Sequence, residues 1–143
     1  MKKILITTFR PLKKEELIYL LELLNTNFNP LQIGIATIEQ NEQICTQIAP
    51  NATLHIAWDE NSSQKFHKRV FNEVKTIFRI KKQKYDIAVQ LCGSKRGIII
   101  PKYAKIKTIV GFETKDKKIN KLITHKITTS VSPEQILKTL ANA

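Results

Sequence analysis

The 143-residue sequence predicts an α/β fold, a doubly wound and mostly parallel sheet of Rossmann-like layout in a single domain, residues 1–143. Three observations predict it. Short, wholly apolar runs recur along the chain, among them Ile4-Leu5-Ile6 and Ile87-Ala88-Val89, as expected of strands buried on both faces. Segments with helical spacing of apolar residues separate these runs. Their regular alternation implies parallel strands joined by right-handed helical crossovers.

Each element has its own signal. Lys3 to Thr8 reads as the first strand, and Pro11 opens the following helix, since proline suits a first helical turn. Leu17, Leu20, Leu21 and Leu24 recur at i, i+3, i+4 and i+7, the apolar stripe of a core-facing helix. Asn25-Thr26-Asn27 and Pro30 end it. Leu31 to Thr37 is the second strand. A short helix then spans Glu42 to Ile48, and Pro50-Asn51 turns the chain into a third strand at Thr53 to Ala57. Glu60 to Ser63 supplies capping chemistry for a helix running to about Lys82. That helix places Phe66, Val70, Val74 and Ile77 on one side, with Lys68, Lys75, Arg79 and Lys82 elsewhere. Lys81, Lys82 and Lys84 sit near its carboxyl end, where the helix dipole favours cations.

The second half continues the alternation. Strand four is Ile87 to Leu91. A helix begins near Ser94, and Pro101 should end or kink it. Strand five covers Thr108 to Phe112, and Ile123 begins a last short strand or a return loop. Ser132-Pro133-Glu134-Gln135 is a capping-box pattern with proline at the first helical position. It opens a closing helix at about 133–142 whose apolar face is Ile136, Leu137 and Leu140.

Composition narrows the function. No apolar run approaches the ~20 residues that a membrane span needs. Ile4-Leu5-Ile6 is too short for a secretory h-region. Cys45 and Cys92 have neither metal spacing nor a disulfide framework, so the expected location is the cytoplasm or the cytoplasmic face of a membrane. Net charge is +12 and unevenly spread. Residues 1–64 hold 5 basic and 7 acidic side chains, whereas residues 65–126 hold 18 basic and 4 acidic. A field concentrated in one half of a domain favours anionic partners. Nucleic acid fits poorly, because aromatics number only 10 of 143 and occupy mostly apolar positions, leaving no stacking platform.

In an open parallel sheet, ligands bind beyond the carboxyl ends of the strands, where the strand order reverses. For an order 3-2-1-4-5 that point lies between strands one and four. It is flanked by Thr7, Thr8, Phe9 and Arg10 on one side and by Gln90 to Arg96 on the other. Gly93 permits a tight turn. Ser94 can cap the next helix, whose free N–H groups face an anion. Lys95 and Arg96 add charge, and arginine can grip a phosphate with two parallel hydrogen bonds. The same residues also read as an ordinary strand-to-helix turn with two solvated cations. Neither G-x-G-x-x-G nor G-x-x-x-x-G-K-[ST] occurs, which argues against a standard dinucleotide or P-loop site. No cofactor is expected.

Four segments carry a family resemblance: KILIT at Lys3 to Thr7, YDIAVQLCGSKRG at Tyr85 to Gly97, IVGFE at Ile109 to Glu113, and LITHK at Leu122 to Lys126. In order and in spacing they resemble the amino-terminal half of the lipopolysaccharide heptosyltransferases, glycosyltransferase family 9. The family pattern reads YDLVIDLxGSxRS, then a strand ending RIGF, then YTHRV. Gly93, Ser94, Arg96, Gly111, Phe112, Thr124 and His125 fall on those letters, and the resemblance spans about residues 3 to 127. It implies one half of a two-domain GT-B enzyme, the half that binds a phosphorylated sugar acceptor of the lipopolysaccharide core. A separate domain would bind ADP-heptose, and peripheral contact with the membrane is compatible with such an acceptor. The implied anion-binding set is Thr8, Arg10, Gly93, Ser94, Lys95, Arg96 and His125. His125 either touches an acceptor phosphate or caps a loop.

The departures bear on catalysis. Where the family shows SLGD after strand one, with its Asp as general base, this chain has Pro11, Leu12, Lys13 and Lys14. A lysine serves there only if burial depresses its pKa by several units. Glu15 or Glu16 substitutes if the loop slips, or else both are first-turn acids facing the helix dipole. The strand-four Asp is Gln90, and Cys92 stands where His is frequent. Cys92 reads as core filler, because direct sugar transfer needs no covalent step. No catalytic residue is assigned. Two functions stay open: an acceptor domain inactive without its donor-binding partner, or a non-catalytic module that kept the basic cleft.

Overall fold

The computed structural model describes residues 2–28, 31–57, 66–90, 94–128 and 132–142. Among these, β1 (Lys2–Thr8), β2 (Leu31–Ile38), β3 (Thr53–Ala57), β4 (Ile87–Gln90), β5 (Thr108–Phe112) and β6 (His125–Ile127) form one sheet of order β3-β2-β1-β4-β5-β6. Every pairing is parallel: Ile4 of β1 lies between Ile33 of β2 and Ile87 of β4. The order reverses between β1 and β4, as expected for a doubly wound sheet.

Side chains of β1 alternate between two cores. Ile4 and Ile6 face the layer made by α1 (Lys14–Asn27), α2 (Glu42–Ile48) and α6 (Pro133–Ala141), through Leu17, Leu24, Cys45 and Leu137. Leu5 faces the opposite layer, where α3 (Phe66–Gln83) contributes Ile80 and α4 (Arg96–Tyr103) contributes Ile98 and Ile100. A short α5 (Lys117–Asn120) rests on this side through Ile119. Asp116 caps it by accepting from the amides of Lys118 and Ile119. α6 begins with the expected cap: Ser132 Oγ accepts from Gln135 N at 3.3 Å. Ile136, Leu137 and Leu140 are its buried residues.

The structure refines four expectations. Pro11 does not open α1, which starts at Lys14. The buried Asn41 holds residues 10–12 out of the helix: its Nδ2 donates to Arg10 O at 2.7 Å, and its Oδ1 accepts from Leu12 N at 3.0 Å. Within α1, Leu23 is buried beside Leu17, Leu20 and Leu24, whereas Leu21 is only partly covered. Pro101 neither ends nor breaks α4 and lies inside it. Proline lacks the N–H that would reach back to Gly97 O. Thr7 Oγ1 donates to that carbonyl instead, at 2.9 Å. Finally, of the two readings of Ile123 the return loop holds, and the last strand starts only at His125. Thr124 ties it to β5, its Oγ1 accepting from Ile109 N at 2.8 Å, and β6 follows from His125.

α3 departs furthest from a core-facing pattern. Only Thr76 and Ile80 are buried, with Ile77 partly so. Phe66, Val70, Phe71, Val74 and Phe78 are exposed. Glu60 to Ser63, expected to cap this helix, lies outside the described residues, as does Leu91 at the expected end of β4.

At the β3 edge, the buried His55 Nε2 stands 2.8 Å from the Tyr85 hydroxyl, ring edge to ring face. Burial, with Arg79 nearby, holds His55 below its ordinary value of 6.5, and burial pushes the Tyr85 phenol up to about 12. A histidine whose folded pKa is depressed binds its proton more readily in the unfolded chain. Its contribution to stability is therefore complete above pH 6.5 and is lost as pH falls from there toward the lower folded value. Urea midpoints should drop between about pH 7.5 and about pH 5.5, and His55→Gln should flatten that drop.

Candidate functional site at the sheet reversal

Where the strand order reverses, between β1 and β4, the floor of the sheet end is a buried amide. Gln90, the last residue of β4, is fully buried. Its Nε2 donates to Ser94 O at 3.2 Å, and its Oε1 accepts from Phe112 N at 3.3 Å. It thus ties β4 to the start of α4 and to the end of β5. Thr7, its register partner on β1, holds Gly97 O. Both glycines here are required by close approach. A Cβ on Gly97 would stand 2.7 Å from Gln90 Cγ, and one on Gly111 would stand 2.9 Å from Gln90 O.

The two faces of the sheet differ chemically at this end. On the α1 side, a groove of about 400 Å³ is lined by Thr7, Thr8, Arg10, Leu12, Glu16 and Tyr19, among others. Thr8 is buried, and its carbonyl accepts from Thr37 Oγ1 at 2.7 Å. Arg10 follows on the exposed rim. Glu16, in the first turn of α1, is the carboxylate this groove contains. Glu15 shares the turn but does not line the groove.

On the α3 side, Arg96 makes the fork-like grip expected of it, but to a protein carboxylate. Nε reaches Glu73 Oε1 at 3.1 Å and Nη2 reaches Oε2 at 2.8 Å. The guanidinium also lies over the Phe9 ring, 4.7 Å from its centroid. Its side chain is 13% exposed. An anion meeting Arg96 would therefore have to compete with Glu73, which sequence reasoning did not pair with it because 23 positions separate the two. Arg10, next to Phe9 in the chain, lines the groove on the α1 side, whereas Arg96 stacks on the Phe9 ring and lines a separate hollow with Glu73.

The other candidates are less gathered. Ser94 is buried but does not cap α4, whose N-cap is Lys95 without a side-chain bond. Lys95 is exposed and pairs with Asp116 at 3.8 Å. Gly93 and Cys92 lie outside the described residues. His125 starts the edge strand β6, opposite Val110, with Nδ1 3.0 Å from Thr124 Oγ1. Two strand spacings separate β6 from β4, roughly 10 Å, so the fold does not bring His125 to the Gln90 floor. Among the described residues, no group of three or more His, Cys, Asp or Glu side chains could hold a metal ion.

The floor makes a direct prediction. Gln90 is bonded at both ends of its amide and cannot move aside, so Gly97→Ala should destabilise the protein by ~1–3 kcal/mol, the range of core overpacking. A lowered urea midpoint with unchanged slope is the expected reading.

No protein-family model matches this chain, and no curated protein does. Solved structures do. A glycosyltransferase family 9 protein from Veillonella parvula aligns with TM-score 0.70 and 16% identity, over 99% of this chain and 41% of its own. The ADP-heptose lipopolysaccharide heptosyltransferase II of E. coli aligns with TM-score 0.66 and 13% identity, over 99% of this chain and 40% of its own. E. coli heptosyltransferase WaaC with ADP-2-deoxy-2-fluoro heptose aligns with TM-score 0.67 and 10% identity, over 97% and 48%. The chain spans less than half the length of each. Its fold is that of the part it covers in family 9 heptosyltransferases of the GT-B type.

Proposed function

We propose that this chain is a heptosyltransferase-like acceptor domain that binds a phosphorylated sugar of the lipopolysaccharide core at the β1/β4 crevice. The observation that carries the reading is the groove holding Thr8, Arg10 and Glu16 where the strand order reverses, in a fold shared with these transferases. Arg10 and Lys95 supply positive charge at the rim, and Arg96 adds a third cation once a phosphate displaces Glu73. The hydroxyl of Thr8 and the amides at the start of α4 offer hydrogen bonds to phosphate oxygens.

Transfer needs two things beyond acceptor binding: a donor-binding partner for ADP-heptose, and a base for the attacking hydroxyl. Glu16 is the candidate base, because it shares the groove with Arg10 while Glu15 does not. The competing reading is a non-catalytic module for anionic ligands. It is favoured by Lys13 and Lys14, which stand where the family resemblance places its acid.

Calorimetry with a phosphorylated core sugar and its dephosphorylated counterpart tests the binding. Affinity should depend on the phosphate, and Arg10→Ala should weaken it by ~1–3 kcal/mol, the scale of a lost charge-assisted bond. Equal affinity for both sugars would overturn the proposal. Heptose transfer after adding a family donor domain in trans separates the two readings. In the enzyme, Glu16→Gln abolishes turnover and Glu15→Gln spares it; a module is silent throughout.

A further inference from the structure

The outer face of α3 meets the Arg96–Glu73 pair at its amino-terminal end, where Phe66 and Val70 line a hollow with them, and runs on beyond it. Phe66, Val70, Phe71, Val74 and Phe78 fall within one arc about 140° wide at about 100° per residue, shared with Ile77 and, at its two ends along the axis, with His67 and Lys81. Phe66 is 73% exposed, Phe71 60% and Phe78 58%. A core helix would bury such a stripe; here the sheet is covered by the neighbouring face with Thr76 and Ile80, and the partly buried Ile77 stands at the side of the arc nearest to them. The arc runs for about 18 Å along the helix.

Charge identifies what suits this face. α3 carries six basic side chains, Lys68, Arg69, Lys75, Arg79, Lys81 and Lys82, against one acid, Glu73. That acid is committed to Arg96 beneath the helix. Lys75, Lys68 and Arg79 follow next around the helix from the apolar arc, and Lys75 Nζ lies 4.6 Å from the Phe71 ring centroid. An apolar stripe bordered by cations, without a free acid, matches the amphipathic pattern of helices that lie in a membrane interface. The phenyl and valyl groups enter the acyl boundary, and the lysine stems reach back to the headgroups. No helix among the described residues is long and apolar enough to cross a membrane, so this contact is in-plane.

Other occupants fit less well. A second copy would bring an equally basic helix against this one, in a protein of net charge +12. A nucleic acid would find cations but little to stack on, since Val70 and Val74 have no π-face.

We infer that α3 docks this protein on anionic lipid surfaces, its Phe71–Phe78 arc in the interface and its lysines on the headgroups. The inference does not depend on what the crevice binds. Glu73 nevertheless links the docking helix to α4, because it grips Arg96.

Flotation with vesicles of phosphatidylglycerol and phosphatidylcholine, against phosphatidylcholine alone, tests it. The full chain should bind the anionic vesicles and lose much of that binding in about 1 M salt, where the Debye length falls to about 3 Å. The pair Phe71→Ser and Phe78→Ser should cut partitioning by at least ~10-fold. Val70→Ser with Val74→Ser should act in the same direction and provides a milder pair. All four positions are exposed, so the urea midpoint should stay at the wild-type value. Wild-type binding retained in both pairs would overturn the inference, as would no binding of the wild type. So would sedimentation equilibrium showing a dimer that these substitutions dissociate.

Discussion

An uncharged amide, sealed from solvent at the point where the strand order reverses, sets the local geometry of this protein. A buried polar group without partners costs about 1–3 kcal/mol, so Gln90 must be met on both sides, and the surrounding chain is arranged to meet it. Ser94 O and Phe112 N serve its two ends. Gly97 and Gly111 leave it room. Thr7, beside it in the sheet, takes the carbonyl that Pro101 leaves without a helical partner. One constraint thus links β1, β4, β5 and α4, and it explains how a proline is tolerated inside an eight-residue helix.

That floor also shapes the electrostatics above it. A carboxylate at position 90 would be a buried charge needing its own partner; the amide needs only hydrogen bonds. The cations near this end of the sheet differ in their settings: Arg10 and Lys95 are exposed, and Arg96 is held by Glu73. The Glu73 pair keeps Arg96 oriented and stacked on Phe9 while reducing the net charge it presents.

The same pairing explains why α3 has two unlike faces. Its inner face is small and partly polar, with Thr76, Ile80 and Glu73 turned toward the sheet and α4. The larger apolar residues are displaced to the outer face. A helix selected only for core packing would place Phe71 and Phe78 inward, because burying a phenyl group is worth roughly 1.5–3 kcal/mol. Leaving both outside fits a surface that meets an apolar phase.

Much of the architecture was legible in local pattern. The apolar runs of β1, β3, β4 and β5 are strands, the leucine spacing of α1 is helical, and Ser132 caps α6. These signals work because strand burial, helical periodicity and capping act within a few residues of one another. The ordered motifs also pointed to the transferase fold. What the chain alone could not reveal depends on partners distant in sequence. Asn41 delays α1 by bonding a loop about 30 positions away. Thr7 rescues Pro101, Glu73 occupies Arg96, and the inner side of α3 is chosen by the shape of the sheet beneath it. A periodic pattern states that a helix has an apolar side; only the packed structure decides whether that side faces the core or the outside.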